Sequence, residues 1–192
     1  MEIVLATNNA HKLQEVQAIC ESSGLDVIFV LPPKEFNPDE TGSTFFENSY
    51  IKAKSANDLT HKMTLADDSG LCVDALDGAP GLYSNRFAGT QQEKIDKLLD
   101  CLKDKTDRTA KFCCAMTLLD ENGEIIFKTM GECHGSIVKS QKGVNGFGYD
   151  PIFLPNNHDL TMAELSEEEK NKISHRGNAL NQVIDFLRNI DK

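Results

Sequence analysis

The sequence predicts a mixed α/β fold built on one central sheet, and three observations predict it. Strand and helix patterns alternate in the first half of the chain, a β-hairpin signal follows in the second half, and a strongly apolar helix pattern closes the chain. Alternation favours parallel strands, whereas a hairpin requires an antiparallel pair, so the sheet must combine both kinds. The 192 residues, 40% of them hydrophobic, suffice for one compact α/β domain, and no internal repeat, low-complexity tract or linker interrupts them. The expected organisation is a single domain over residues 1–192.

Residues 2–6 (EIVLA) read as a buried strand. Asn8 and Asn9 break it and can cap a helix in which Leu13, Val16, Ala18 and Ile19 supply a buried side. Residues 26–31 (DVIFVL) form a second strand, stopped by Pro32 and Pro33. Thr44 and Glu47 form a capping box that opens a helix to about Asp58. Residues 63–67 form a strand that leads into a pair of aspartates. Residues 91–102 are helical, with Ile95, Leu98, Leu99 and Leu102 on one face. Strands at 109–119 and 124–130 flank Asn122-Gly123, a hairpin turn signal. Ser166 and Glu169 make another capping box, and residues 175–190 carry Leu180, Val183, Ile184 and Leu187 at helical spacing.

The formal net charge is −10 and nothing resembles a basic stripe, which argues against a general nucleic-acid binder. An anionic ligand must therefore be held by local cations against the overall field. No apolar run approaches the ~20 residues that span a bilayer, and MEIVLATNN lacks a signal-peptide pattern. The six cysteines form no CxxC pair and read as reduced, buried thiols. The expected location is cytoplasmic, with no membrane or nucleic-acid partner. A metal site at Cys133-His134 is disfavoured, because neighbours on a strand point to opposite faces.

Four stretches can carry chemistry. Thr7-Asn8-Asn9-Ala10-His11-Lys12 is a strand-to-helix turn, where backbone N–H groups and the helix dipole favour an anion and Lys12 adds a full charge. It is no Walker loop, and taken alone it reads rather as an ordinary capped helix with an exposed lysine. Asp67 and Asp68 are adjacent like charges that need a positive partner. Strand alternation turns one toward a ligand and the other toward structural support. Hard oxygen ligands near a phosphate-binding turn suit Mg²⁺, and Glu40 is a candidate second ligand. The alternative is a solvated turn whose Asp and Ser cap backbone groups. In Gly143-Val-Asn-Gly-Phe-Gly-Tyr-Asp-Pro151, an aromatic on a glycine-rich loop can stack on a base and Asp150 can read a base edge; the same residues can merely cover a core. Lastly, Lys170 and Ser174-His175-Arg176 place cations at a helix start, against its dipole.

Together these blocks resemble the inosine triphosphatase family, the non-canonical purine nucleoside triphosphate pyrophosphatases. The resemblance rests on Thr7-x-Asn9-x-x-Lys12, Glu40-Thr-Gly-x-Thr-Phe-x-Glu-Asn48 with Lys52, and Ala66-Asp-Asp-Ser-Gly-Leu71. It continues through Val73-Asp-Ala-Leu-x-Gly-Ala-Pro-Gly81 with Ser84-x-Arg86, Gly146-Phe-Gly-Tyr-Asp-Pro151 and Ser174-His-Arg176. Asn8 stands where many members have glycine, and Ser49 replaces a frequent alanine. The resemblance implies an elongated mixed sheet with flanking helices, two lobes around an active-site cleft, and a homodimer. It implies Mg²⁺-dependent hydrolysis of a small-molecule substrate, ITP, dITP or XTP, to the monophosphate and pyrophosphate. By the same resemblance Thr7, Asn8, Asn9, Ala10, His11, Lys12 and Lys52 hold phosphates, Glu40 and Asp68 serve the metal, and Asp68 is the general base. Ser69 touches the nucleotide, and Phe147, Gly148, Tyr149, Asp150, Lys170, His175 and Arg176 form the base and sugar side, with Arg176 or His175 on the 6-keto oxygen. A pyrophosphatase for damaged pyrimidine nucleotides and a non-enzymatic nucleotide-binding regulator remain as alternatives.

Overall fold

The structure, a computed structural model, describes residues 1–190. Its elements run β1 (Glu2–Leu5), α1 (Ala10–Ser23), β2 (Ile28–Val30), α2 (Phe45–Thr60), β3 (Thr64–Val73), α3 (Gln91–Cys101), β4 (Thr109–Leu119), β5 (Ile125–Ile137), β6 (Phe153–Pro155), α4 (Glu167–Ile173) and α5 (His175–Ile190). The six strands form one sheet in the order β2-β1-β3-β4-β5-β6. β1 lies parallel to β2, with Ile3 beside Phe29, and parallel to β3, with Leu5 beside Leu65. β5 runs antiparallel to β6, with Ser136 beside Leu154. The sheet is therefore mixed, as the alternation-plus-hairpin pattern requires. No helix among the described residues is long and apolar enough to cross a membrane.

The chain gathers into two compact units, each assembled from separated segments. The first comprises Met1–Asp68, Cys114–Gly131 and the stretch that begins at Arg176. Its main core joins Ile3, Leu5 and Leu65 of the parallel strands to Val16 and Ile19 of α1, Met116 and Leu118 of β4, and Leu180, Val183, Ile184 and Leu187 of α5. The periodic apolar residues of the last helix are thus its buried stripe. The second unit comprises Ser69–Cys113 and Glu132–His175. Its core joins Leu71 and Val73, Ile95, Leu98 and Leu102 of α3, Phe112 of β4, and Ile152 and Phe153.

Three elements differ from the sequence reading. β3 does not stop at the aspartates but continues through Ser69 and Gly70 to Val73. Asp67 and Asp68 are mid-strand residues, because the backbone hydrogen bonds of an inner strand outweigh the turn preference of Asp-Asp-Ser-Gly. β5 likewise runs on to Ile137 through Gly131 and Gly135. Thr44 accepts from the Glu47 amide as expected, but the Glu47 carboxylate turns to the amide and hydroxyl of Ser43 (2.6 and 2.7 Å), so the capping box is shifted by one residue. The Ser166–Glu169 box is complete, and Thr90–Glu93 forms a further one at α3.

Gly135 marks where β6 approaches closest. A methyl group there would overlap the Leu154 carbonyl and meet Phe153 Cζ at 2.8 Å. Gly135→Ala should therefore destabilise the protein by about 1–3 kcal/mol through overpacking. Denaturant unfolding followed by circular dichroism checks this; an unchanged midpoint would show that the β5–β6 contact can give way freely.

Candidate active site

The site is built around the two adjacent aspartates, which β3 sends to different partners. Asp67 is 2% exposed. Its carboxylate accepts from Lys12 Nζ with both oxygens (3.1 and 2.9 Å) and from Arg176 Nη2 at 3.2 Å. The other arm of Arg176, Nη1, forms a short ion pair with Glu15. Lys12 and Glu15 lie three residues apart on α1, so one face of that helix delivers a cation and an anion to the same buried place. Burial works against charge on Asp67, but Lys12, Arg176 and Lys52 outweigh it and hold the carboxyl far below the usual carboxylate range. Cys114 Sγ lies 3.8 Å from Asp67, and its thiol is pushed up by burial and by that carboxylate.

Asp68 meets a different set. Oδ1 accepts from Lys52 Nζ at 3.0 Å and Oδ2 from the Asn48 side-chain amide at 3.2 Å. Lys52 Nζ also lies 3.0 Å from Glu40 Oε1, so two carboxylates converge on one ammonium. Asn48 is oriented by its own carbonyl oxygen, which accepts from the Gly42 amide at 2.8 Å. Only glycine fits there, since a Cβ on Gly42 would lie 2.6 Å from that oxygen. Here the balance of forces runs the other way. Burial raises the Asp68 pKa, Lys52 pulls it back in part, and Glu40 and Asp67 raise it further. Burial also opposes charge on Lys52, but Asp67, Asp68 and Glu40 together raise its pKa.

The turn before α1 has the geometry of a capped helix start. Thr7 Oγ1 accepts from the Asn9 amide at 3.1 Å, and Asn9 Oδ1 accepts from the His11 amide at 3.0 Å. Asn9 rather than Asn8 is the cap; the Asn8 amide donates to the Phe36 carbonyl at 3.2 Å. Ala10 opens the helix.

The residues expected on the base and sugar side separate. Ser69, Phe147, Gly148, Tyr149, Asp150, Lys170 and His175 belong to the second unit, whereas Arg176 belongs to the first. In the second unit, Asp150 Oδ2 accepts from Lys170 Nζ at 2.8 Å and from the Phe147 amide at 2.9 Å. Lys170 Nζ also lies 4.7 Å from the centre of the half-buried Phe147 ring. The Gly148 amide donates to Gln91 at 3.1 Å. Tyr149 is only 4% exposed, and its hydroxyl donates to the Ser84 carbonyl at 3.0 Å, so it supports the loop from the core side. His175 stacks on Phe112, with ring centres 4.7 Å apart and planes 12° from parallel. Arg176 has partners that the sequence did not suggest: its two arms pair with Asp67 and Glu15, so the positive charge at the start of α5 is answered by buried carboxylates. Glu15, Asn48 and Phe112 were missed as site residues. The i, i+3 spacing of Lys12 and Glu15 was the one signal for the first, and Asn48 stood inside a quoted motif without a role.

The fold is a mixed six-stranded sheet with flanking helices, its site is a pair of adjacent buried aspartates, and the family follows from comparison. A model of the Ham1 family matches residues 3–186, and the chain belongs to the Ham1 family. It is 46% identical over 182 residues to a dITP/XTP pyrophosphatase from Synechocystis sp., an alignment that covers 95% of this chain and 93% of that one. A HAM1 protein structure from Coxiella burnetii superposes with a TM-score of 0.88 at 44% identity, covering 98% of both chains. A Mycobacterium abscessus structure described as a nucleoside-triphosphatase and dITP/XTP pyrophosphatase gives a TM-score of 0.76 at 40% identity, over 98% of this chain and 100% of that one.

The opposed environments of the two aspartates yield a stability prediction. Asp67→Asn strips two buried cations of their shared partner and should remove about 3–5 kcal/mol at neutral pH. Because the native Asp67 pKa is depressed, its contribution is complete above the unfolded carboxylate value of about 4 and fades as pH falls below it toward the native value. The difference in melting temperature between wild type and Asp67→Asn should thus be large at pH 7 and shrink on acidification below that value. Equal melting temperatures at pH 7 would show that the network does not hold the fold.

Proposed function

We propose that this protein hydrolyses non-canonical purine nucleoside triphosphates, dITP, ITP and XTP, to the monophosphate and pyrophosphate. The observation that carries the reading is the divergence of two neighbouring carboxyls on one strand, Asp67 held as an anion and Asp68 pushed toward the protonated form. Such a split separates a structural carboxylate from one able to take up a proton. The near full-length relationship to dITP/XTP pyrophosphatases supplies the substrate class.

Asp68 is the group that accepts the proton of the attacking water at the α-phosphorus. Thr7 to Lys12 and Lys52 bind the phosphates, through backbone amides at the start of α1 and through the lysine charges. Asp68 and Glu40 fit Mg²⁺, since both already converge on a single cationic centre and a pair of carboxylates matches its usual protein ligand set. When bound there, Mg²⁺ supplies charge neutralisation for the triphosphate and the departing pyrophosphate. Lys12 and Lys52 must loosen their carboxylate pairs as phosphate arrives. In the second unit Phe147 stacks on the base, Asp150 and Lys170 hold its loop, and His175 donates to the 6-keto oxygen of hypoxanthine or xanthine. Adenine presents a 6-amino donor at that position, and the resulting unpaired buried group costs roughly 1–3 kcal/mol. A cytoplasmic homodimer is part of the same proposal and rests on the family resemblance.

Product analysis tests the reaction. Incubation with dITP or XTP should give monophosphate and pyrophosphate, with neither diphosphate nor orthophosphate formed. Asp68→Asn should lower kcat by about 100-fold or more, the usual loss of a general base, with a melting temperature near wild type. The wild-type rate should rise with pH through the elevated Asp68 pKa, and that limb should vanish in the variant. Release of orthophosphate, or an active Asp68→Asn protein, would falsify the assignment.

Base selection separates His175 from Arg176. His175→Ala should lower kcat/KM for dITP by about 5- to 100-fold, the equivalent of 1–3 kcal/mol, and leave dATP nearly unchanged. Arg176→Ala should depress both substrates alike and also lower the melting temperature. The opposite pattern, with Arg176→Ala collapsing the dITP to dATP ratio, would return base reading to the arginine.

A further inference from the structure

Folding of the second unit makes a basic depression that the sequence does not show as a stripe. The loop from α3 to β4 and the chain just beyond β5 enclose about 560 Å³, lined by Lys103, Lys105, Arg108 and Lys139, with Asp104 as the one carboxylate. Leu99 is the one apolar residue of the lining, and no aromatic ring belongs to it. Arg108 is held by backbone carbonyls. Its Nε donates to Ile137 at 2.5 Å, Nη1 to Leu102 at 3.0 Å and Nη2 to Val138 at 2.9 Å. The charge thus meets neutral acceptors, and burial lowers the Arg108 pKa with no carboxylate to offset it. Lys103 pairs with Asp100 at 3.3 Å, whereas Lys105 and Lys139 have no carboxylate partner among the described residues. Asp107 lies outside the lining and accepts from the Thr109 amide at 2.9 Å.

We propose that this depression is a second anion site, which takes a condensed phosphate: inorganic pyrophosphate or the phosphate tail of a nucleotide. Its occupancy does not depend on the reaction at Asp68.

Cations near the end of α3 could serve only to neutralise its dipole, but a helix C-terminus carries just about half a negative charge. Against the four cations stand Asp104, Asp100 and that partial charge, so a positive surplus remains. The chain as a whole is acidic, at −10, yet salt screens exposed charges more than about 8 Å apart, and the four cations share one depression. Its volume of about 560 Å³ lies within the ~300–1,000 Å³ span of small-molecule sites and exceeds what a single tetrahedral anion fills. Arg108 keeps its donors on carbonyls and adds field rather than a bidentate grip. Direct contact therefore falls to the exposed lysines, whose ammonium groups act as mobile point charges. Several such charges suit an anion whose charge is spread along its length better than a compact one. A nucleobase finds no aromatic ring to stack on, so phosphates alone carry the recognition.

The test is an amide NMR titration of the isotopically labelled full-length protein with inorganic pyrophosphate at constant ionic strength. Amides of Leu102 to Arg108, and of Val138 and Lys139, should shift and saturate, whatever happens at the aspartates. Orthophosphate should bind there about tenfold more weakly, or worse. Lys105→Glu combined with Lys139→Glu should weaken pyrophosphate binding by about tenfold or more, because two ion pairs are lost and two like charges replace them. Both side chains are exposed, so the melting temperature of that variant should stay near wild type. Titrations with dATP and deoxyadenosine separate the sources. A response to pyrophosphate alone assigns the site to the free anion, and a response to dATP as well assigns it to a nucleotide's phosphate tail. Shifts produced by deoxyadenosine would overturn recognition through phosphate. So would orthophosphate binding as tightly as pyrophosphate, shifts at these amides that never saturate, or wild-type affinity in the charge-reversed protein. If the double reversal does not fold, Lys105→Gln and Lys139→Gln decide the matter, each expected to weaken binding by about 2- to 5-fold.

Discussion

The buried ion pair of Asp67 with Lys12 and Arg176 is the constraint on which the first unit depends. It ties three elements together at one carboxylate, with α1 supplying Lys12, β3 the aspartate and α5 the arginine. A carboxylate this deeply buried is tolerated only when it is paired and hydrogen-bonded. Once it is paired, the positions of the elements follow. α1 must begin where Lys12 reaches β3, which fixes the turn of Thr7 to Ala10. α5 must begin with Arg176 at the same carboxylate, which fixes a cation at a helix start where the dipole alone would disfavour it. Glu15 then answers the remaining charge of the arginine.

The same network shapes its neighbour. Asp68 sits next to a carboxylate that is ionised under all ordinary conditions, within a buried setting, beside Glu40. Every one of those influences favours its protonated form, and Lys52 and the Asn48 amide resist. Proton affinity at Asp68 is therefore set first by burial, with Glu40 and then Asp67 adding to it, although strand alternation turns the two aspartate side chains to opposite faces. A glutamate at either position, or one residue of slippage in register, would mix the two environments.

Much of this was legible in the sequence, and the exceptions have physical reasons. The mixed sheet and the buried stripe of α5 could be read because hydrophobic periodicity reports directly on burial. Strand alternation also gave the separate orientations of Asp67 and Asp68 before any partner was known. The length of β3 was not legible, since Asp-Asp-Ser-Gly has turn preferences that only the flanking strands override. The partners of Arg176 were hidden for a related reason. An arginine at a helix start looks unpaired in one dimension, and the carboxylates that claim it lie far away in the chain, at positions 15 and 67. The stacking of His175 on Phe112 was equally hidden, because nothing in local spacing links a mid-strand aromatic to a residue so distant in sequence.

The Asp67–Asp68 centre gathers three cations, Lys12, Lys52 and Arg176, and four carboxylates, Glu15, Glu40, Asp67 and Asp68. Its sum is one negative charge with Asp68 ionised and zero with Asp68 protonated. Set within a chain of net charge −10, such a centre projects no attractive field toward an approaching polyanion. Among these seven groups the side chains leave no surplus positive charge for a polyanion, so its capture depends on contacts within a few ångströms, in which ammonium groups change partners.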